Sequence, residues 1–362
     1  MLNITNRKTT IIEEKRELFL RVLQSDEQKF IVGINPLCDH LIDIFNQENI
    51  YISGIVDDFT DKSDYMGYPI FKTQSLPKDA LAISCVVDGK LITAIDNLKS
   101  HGINNILTYL ELRLQSPDLF KQVRFCENNI IDIEINENKY NWLYSILEDE
   151  LSQKTLENIL DFRYNYNVES MRFFPFQLHN QYFDDFIPFS DNEIFVDCGG
   201  FDGSTTISFI SKHPSYKNVY YFEPSPSQFI ISKKNLGNYR DITLFNLATH
   251  NCNTILKFDS GVGSSSSISN SGNIEIKTTK LDDVINDAVT YIKLDVEGVE
   301  FETLQGAENL IKKFQPKLAV CVYHNQADFW RIPELVLSYN PSYKVYIRHY
   351  TEGLLETVMY FI

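Results

Sequence analysis

Short apolar runs ending in an acid, a glycine turn or both, each followed by a segment of helical periodicity, recur along most of the chain, and this alternation restricts it to an α/β architecture with largely parallel strands. In the first series KFIVGI, starting at Lys29, meets a turn at Asn35 and Pro36 and a helix bearing Leu37, Leu41, Ile44 and Phe45. YISGIVDDF, a polar loop, LAISCVV, a helix from about Lys90 to Ser100 and NNILTY carry it on to Leu112. A second series begins near Asp191. Its runs EIFVDC, NVYYFE, ITLFNLA, YIKLDV, KLAVCVY, YKVYIRHY and ETVMYFI predict seven strands, the last two as an edge hairpin that requires one antiparallel strand. Between the series the chain reads as helical and aromatic, with LYSILEDELSQKTLENILDFRY expected as one long amphipathic segment carrying Leu147, Leu151, Leu156, Ile159 and Leu160.

The division expected is a smaller Rossmann-like unit over residues 1–125, a helical connector over 126–186 and a second Rossmann-like unit over 187–362. Ser260 to Asn273, rich in Gly and Ser, reads as a flexible loop, either a plain surface excursion or a lid beside the site. Lys plus Arg count 33 against 49 Asp plus Glu, and the formal charge of −16 with no basic patch excludes a nucleic-acid partner. The six cysteines include no CxxC pair and read as free buried thiols. Met1 to Gln28 has no signal-peptide hydrophobic segment, Ile11 to Val22 reads as a polar helix, and no apolar run is long enough to cross a bilayer, so a soluble cytoplasmic protein is expected.

The strongest local signal is FVDCGGFDGSTT, from Phe195 to Thr206, a strand ending in Asp197, a glycine turn and a helix start. Gly199, Gly200 and Gly203 would let backbone turn tightly beneath a ligand, with Ser204 and Thr205 as helix caps. Phe201 stands where a dinucleotide-binding loop needs its second glycine, so the turn suits a methionine moiety better than a pyrophosphate. Downstream, YYFEPSP puts Glu223 at a strand end, with Pro224 and Ser225 after it, at the distance where such folds hold a ribose. YIKLDVEGVE ends a third strand in Asp295 and Glu297, although Glu297 or Glu300 could equally serve the helix dipole. In the first unit the glycine positions hold Gly33, Asn35 and Cys38, and Asp57 reads either as a ribose acid or as a solvated turn residue.

FVDCGGFDGSTT, YFEPSPSQF, TTKLDDVI and YIKLDVEGVEFETLQGA together resemble the FkbM family of S-adenosylmethionine-dependent methyltransferases, over roughly residues 181–362. The resemblance implies a class I methyltransferase fold with a seven-stranded sheet, S-adenosyl-L-methionine as cofactor, and methyl transfer to an oxygen of a sugar or polyketide. By that likeness Asp197, Gly199 and Phe201 contact the methionine part, Glu223 the ribose and the segment around Ala248 the adenine, and Tyr182, Gly200, Gly203, Thr205, Pro224, Ser225 and Asp295 complete the expected cofactor-binding set. The GIVDDF and MGYPIF runs look like the small domains that precede sugar-modifying enzymes of surface polysaccharide pathways, and so favour a glycan precursor.

The acceptor side is read from residues alone. His324, after a buried strand, is the candidate base with Glu297 its competitor, and Asp295 completes the catalytic set. Arg348 and His349 read either as a clasp for an anionic acceptor or as solvated hairpin residues. Asp295, Glu297 and His324 can be imagined as metal ligands, but no HxxxH, CxxC or dense carboxylate cluster supports them and a sulfonium donor is electrophilic without a metal, so none is expected. Partners reduce to a small-molecule or glycan acceptor and, if the chain pairs with itself, a homodimer. The rival readings are a cofactor-binding scaffold of a glycan assembly complex and a nicotinamide-dependent oxidoreductase, the latter opposed by Phe201, Asn35 and Cys38.

Overall fold

A computed structural model describes Leu2 and residues 6–259, 267–268 and 274–362. Apart from Ser267 and Ile268, the Ser260 to Asn273 stretch lies outside the described residues.

The first series folds as α1 (Lys8–Gln24), β1 (Lys29–Val32), α2 (Pro36–Gln47), β2 (Gly54–Val56), β3 (Asp64–Tyr65), β4 (Tyr68–Phe71), β5 (Leu81–Ser84), α3 (Leu91–Ser100), β6 (Asn105–Thr108) and α4 (Tyr109–Gln115). β1 and β5 are buried at every position, as parallel strands covered on both faces must be. The sheet order is β3-β4-β2-β1-β5-β6, parallel except for β3 against β4. The polar loop expected after YISGIVDDF thus carries two strands, and MGYPIF extends the sheet because Ile70 and Phe71 pair with Ile55 and Val56. Asn35 caps α2 with its own side chain, and a reciprocal Thr108–Glu111 capping box starts α4.

The connector holds α5 (Asn129–Ile135), α6 (Glu137–Ile146) and α7 (Glu150–Asn165), so the single long helix expected across α6 and α7 is interrupted. Leu147 turns extended and bridges to Val345, Glu148 donates its N–H to the Val345 carbonyl at 3.0 Å, and Asp149 caps α7 through the Ser152 N–H at 2.7 Å. Tertiary pairing therefore overrides helical continuity. Leu151, expected on the apolar face, is exposed.

The second series gives β7 (Ile194–Cys198), α8 (Ser204–Lys212), β8 (Asn218–Phe222), α9 (Pro226–Leu236), β9 (Ile242–Phe245), β10 (Ala248–Thr249), β11 (Ile255–Asp259), β12 (Ser267–Ile268), β13 (Ile274–Thr279), α10 (Leu281–Val284), β14 (Tyr291–Leu294), α11 (Glu300–Gln305), α12 (Glu308–Phe314), β15 (Lys317–Cys321), α13 (Asp328–Tyr339), β16 (Val345–His349) and β17 (Thr357–Phe361). The seven expected strands form one sheet in the order β16-β17-β15-β14-β7-β8-β9, with β17 antiparallel between β15 and β16. A small sheet, β10-β13-β11-β12, stands where the sequence showed only a polar interruption. The order of the main sheet puts the carboxyl ends of β15, β14, β7 and β8 side by side, where ligands of open α/β sheets bind. Among the described residues no helix is long and apolar enough to cross a membrane, and five of the six cysteines are buried free thiols, Cys252 being exposed.

Arg163 of α7 is the largest fully buried side chain. Its guanidinium donates to the carbonyls of Phe125 at 3.1 Å, Tyr323 at 3.0 Å and Leu354 at 3.2 Å and to Oε1 of Gln326 at 3.2 Å. One cation thus joins the connector to the segment after β15 and to the final hairpin. Replacing Arg163 by Leu should strand these acceptors in the interior and destabilise the protein by roughly 3 kcal/mol or more in urea denaturation; a loss under 1 kcal/mol would contradict this role.

Candidate active site

Asp197, at the carboxyl end of β7, is fully buried, and its Oδ1 lies 3.2 Å from Nζ of Lys293 on the adjoining strand β14 while Oδ2 accepts from Thr206 Oγ1 at 2.7 Å. Lys293 also donates to the carbonyls of Cys198 at 3.2 Å and Gly199 at 2.7 Å. Burial opposes the charge on Lys293, but Asp197 and Asp295 more than offset it and hold the ammonium above its ordinary range. The Asp197 carboxylate thus pairs with groups of the protein itself, and through Lys293 it is linked to the glycine turn.

The glycines of the turn are required chiefly by the protein itself. A side chain at Gly199, whose φ is +76°, would stand 1.8 Å from the Asp295 carbonyl oxygen, and one at Gly200 would stand 1.9 Å from the Tyr221 ring. Ser204 and Thr205 do not cap α8 either. Gly203 takes the cap position and Asp202 accepts the Ser204 N–H at 2.9 Å. Phe201, at φ +50°, is partly exposed, with its N–H donated to Oε2 of Glu223 at 2.9 Å. Glu223, after β8, accepts from the Ser225 N–H as well, at 2.7 Å; burial pushes its carboxyl up to about 7 against the pull of these two donors. Ala248 is buried in β10, one strand further along.

Tyr182, in a left-handed backbone conformation before β7, donates its hydroxyl to Oδ2 of Asp295 at 2.9 Å. Asp295 follows β14 and Glu297 sits one turn on at φ +60°, both with about a quarter of the side chain exposed. His324 follows β15, which pairs with β14 in register, so the fold brings all three predicted catalytic residues together. Nε2 of His324 lies 3.6 Å from Oδ1 of Asp295 and 3.8 Å from Oε2 of Glu297, and Nδ1 lies 2.9 Å from Oε1 of Glu300. The His324 side chain has no exposed surface, and despite the short approach to Glu300 neither ring nitrogen is aligned for a hydrogen bond. Burial favours the neutral ring, yet Glu300, Asp295 and Glu297 prevail and push its pKa up to about 9.

Of the two candidate bases, the His324 side chain is enclosed, whereas about a quarter of the Glu297 side chain is exposed. Glu297 is raised to about 8, by burial and by Asp295 against the pull of His324 and Arg124, and it opens to the crevice. Arg124, from the segment after α4, reaches Oε2 of Glu297 at 3.2 Å. Sequence reading missed Arg124, and it treated Glu300 only as a possible helix-dipole residue. The carboxylate of Glu300 accepts the N–H groups of Val296 at 2.9 Å and Gly298 at 3.1 Å, so it staples the LDVEG loop. The fold also gathers Asp295, Glu300 and His324, with one potential ligand atom of each lying within 4.8 Å of the others.

Arg348 and His349 are neither clasp nor solvated residues. Arg348 is buried against Asp149, with Nη2 to Oδ2 at 2.6 Å, and donates to Ser152 Oγ at 2.7 Å. His349, lowered to about 3 by burial and by nearby Arg163, packs on Phe174 and contacts Thr357 Oγ1 at 2.9 Å. In the first unit a cleft of roughly 820 Å³ lies at the strand ends, lined by Gly33, Asn35, Asp57, Lys72 and Lys90 among others. Oδ1 of Asn35 there accepts the N–H groups of Leu37 and Cys38, and Oδ1 of Asp57 those of Phe59 and Thr60.

Residues 197–351 match the family described as "Methyltransferase FkbM domain". Over 98% of both chains the structure is similar to that of the methyltransferase FkbM from Methylobacillus flagellatus KT, with a TM-score of 0.75 at 24% identity. Other solved structures include a precorrin-6y C5,15-methyltransferase from Geobacter metallireducens GS-15, at 14% identity and TM-score 0.31 over 48% of this chain and 80% of that one. An Aeropyrum pernix fibrillarin with natively bound S-adenosyl-L-methionine matches at 11% identity and TM-score 0.31, over 49% of this chain and 69% of that one. No curated protein matches the chain.

Removing the Asp197 carboxylate by Asp197→Ala should cost about 3–5 kcal/mol of stability, because it leaves the Lys293 ammonium buried without its counter-charge. The double variant Asp197→Leu with Lys293→Met should recover much of that loss in chemical denaturation; equal instability of single and double variants would refute the pairing.

Proposed function

We propose, starting from the methyltransferase FkbM domain that residues 197–351 form, that this methyltransferase uses S-adenosyl-L-methionine to methylate a hydroxyl of a sugar or glycan precursor in surface polysaccharide biosynthesis. The observation that carries the reading is the side-by-side position of the β7, β8 and β14 ends, which brings the glycine turn, Glu223 and Asp295 to one crevice. Glu223 accepts the ribose hydroxyls; Pro224 and Ser225 shape the turn beneath them. Ala248 borders the adenine. The Gly199–Phe201 turn, Thr205, Tyr182 and Asp295 face the methionine portion, with Asp197 and Lys293 fixing the turn from behind.

Transfer is an in-line displacement, so alignment of acceptor oxygen, methyl carbon and sulfur supplies most of the rate. Glu297 takes the acceptor proton, and Arg124 sets its position. The carbohydrate class rests on the FkbM likeness and on the GIVDDF and MGYPIF runs of the first unit. We divide the chain at about residues 125 and 186 into a first unit that helps frame the acceptor, a connector and the methyltransferase half.

Assay of methyl transfer from labelled S-adenosylmethionine to a panel of sugars, nucleotide sugars and lipid-linked glycans tests the reading. Turnover with one class and a drop of about 10²- to 10⁴-fold in kcat for Glu297→Gln, with donor affinity retained, is expected. Donor binding without turnover on any acceptor would instead favour a scaffold.

The ribose role predicts a pH dependence. Ionised Glu223 accepts the diol, so donor affinity measured by calorimetry should fall as pH drops through about 7, by up to about tenfold per unit. Stability of the unliganded protein should move the opposite way, since a carboxyl raised by folding contributes stability below its ordinary pKa and loses it as pH rises through about 7. Glu223→Gln should flatten both profiles; an unchanged affinity profile would remove Glu223 from the ribose.

A further inference from the structure

We propose that Asp295, Glu300 and His324 form a site for one divalent cation of borderline character, manganese or zinc in class, on the acceptor side of the crevice. Each offers one ligand atom, and the three atoms lie within 4.8 Å of one another. They come from adjoining strand ends, Asp295 after β14 and His324 after β15, with Glu300 opening α11. Two ligands about 2.1 Å from an ion and at right angles to each other stand about 3 Å apart, and the 2.9 Å approach of Nδ1 to Glu300 has that length without the alignment of a hydrogen bond.

A second observation points to a missing ligand. The imidazole is sealed from solvent, yet neither nitrogen is hydrogen-bonded, and buried polar side chains are rarely left so. The surrounding charge has the same tendency. Asp295, Glu297 and Glu300 crowd one ring, with the buried carboxyls of Asp328 and Glu356 behind them. Of the nearby cations, Lys293 is engaged by Asp197 and two carbonyls, Arg331 by Asp328 and Arg124 by Glu297. An ion bound to one ring nitrogen, with the other facing a remaining carboxylate, would satisfy the imidazole and neutralise the cluster at once.

A mixed nitrogen and oxygen set selects against magnesium and calcium, which prefer oxygen alone. Asp295 is the partly exposed member, so the open coordination positions face the crevice. Resting here on the methyl-transfer reading, the cation would hold the acceptor hydroxyl and lower the cost of removing its proton. As the oxygen–carbon bond forms, the carbon–sulfur bond breaks with its electron pair going to sulfur, and the hydroxyl proton passes to Glu297.

The test is calorimetry and manganese electron paramagnetic resonance on the full chain after chelator treatment, titrating manganese, zinc and magnesium chlorides with and without S-adenosylmethionine. One equivalent of manganese or zinc should bind, more tightly than magnesium. Asp295→Asn and His324→Ala should each weaken it at least about tenfold, and the surface variant Glu308→Gln should leave it unchanged. Absence of stoichiometric binding, or binding indifferent to Asp295→Asn, overturns the site. Donor binding without cation binding would sink this proposal alone, whereas cation binding in a protein that ignores the donor would keep the site and sink the methyl-transfer reading.

Discussion

The ion pair between Asp197 and Lys293 is the contact around which the second unit is arranged. It joins the two central strands β7 and β14 at the height where the chain leaves the sheet, and Lys293 reaches past it to the carbonyls of Cys198 and Gly199. A buried pair of this kind does little for net stability compared with apolar residues of the same shape, but it tolerates few alternative geometries. Its effect is to hold the glycine turn in one conformation, so that Phe201 can present its N–H to Glu223 and the β14 end can pass within contact distance of Gly199.

The surroundings of Glu223 and those of His324 are organised on different terms. Around the turn and Glu223, backbone N–H groups meet a carboxylate, an arrangement set by a few consecutive residues. Around His324, side chains from β14, α11, β15 and the segment after α4 meet in an enclosed space with more acids than bases. The first is suited to recognising a constant ligand. The second concentrates charged and proton-holding groups in one enclosed space.

This difference explains how much could be read from the sequence. Strand runs, their acidic ends and the edge hairpin were legible because period, composition and turn residues are local quantities, and the seven-stranded sheet follows them. FVDCGG and YFEPSP could likewise be recognised as strand tips. What could not be read were partnerships made at long range. Lys293 looked like one polar residue inside YIKLDV, and only the register of β14 on β7 reveals it as the counter-charge of Asp197. Arg348 looked exposed at a hairpin until Asp149, from the connector, closed on it. Leu147 read as helical because nothing near it in sequence announces Val345. Glu300 was ambiguous for the same reason: its loop contacts are local, but the imidazole beside it belongs to another strand.

The seam between the two units bears on how the crevice is bounded. Glu352 donates its N–H to the Gly89 carbonyl at 2.7 Å and Leu354 to that of Val87 at 3.1 Å, while the carboxylate of Glu352 accepts from Thr93. These main-chain bonds lash the loop before β17 to the loop before α3, and the chain leaving the first unit then carries Arg124 up to Glu297. One neighbour of Glu297 is thus borrowed from outside the unit that carries it. A second unit cut free of what precedes it would keep the hydrogen bonds of Phe201 and Ser225 to Glu223 but leave Glu297 without Arg124, so that on the reading proposed above the acceptor side would be the first to lose definition.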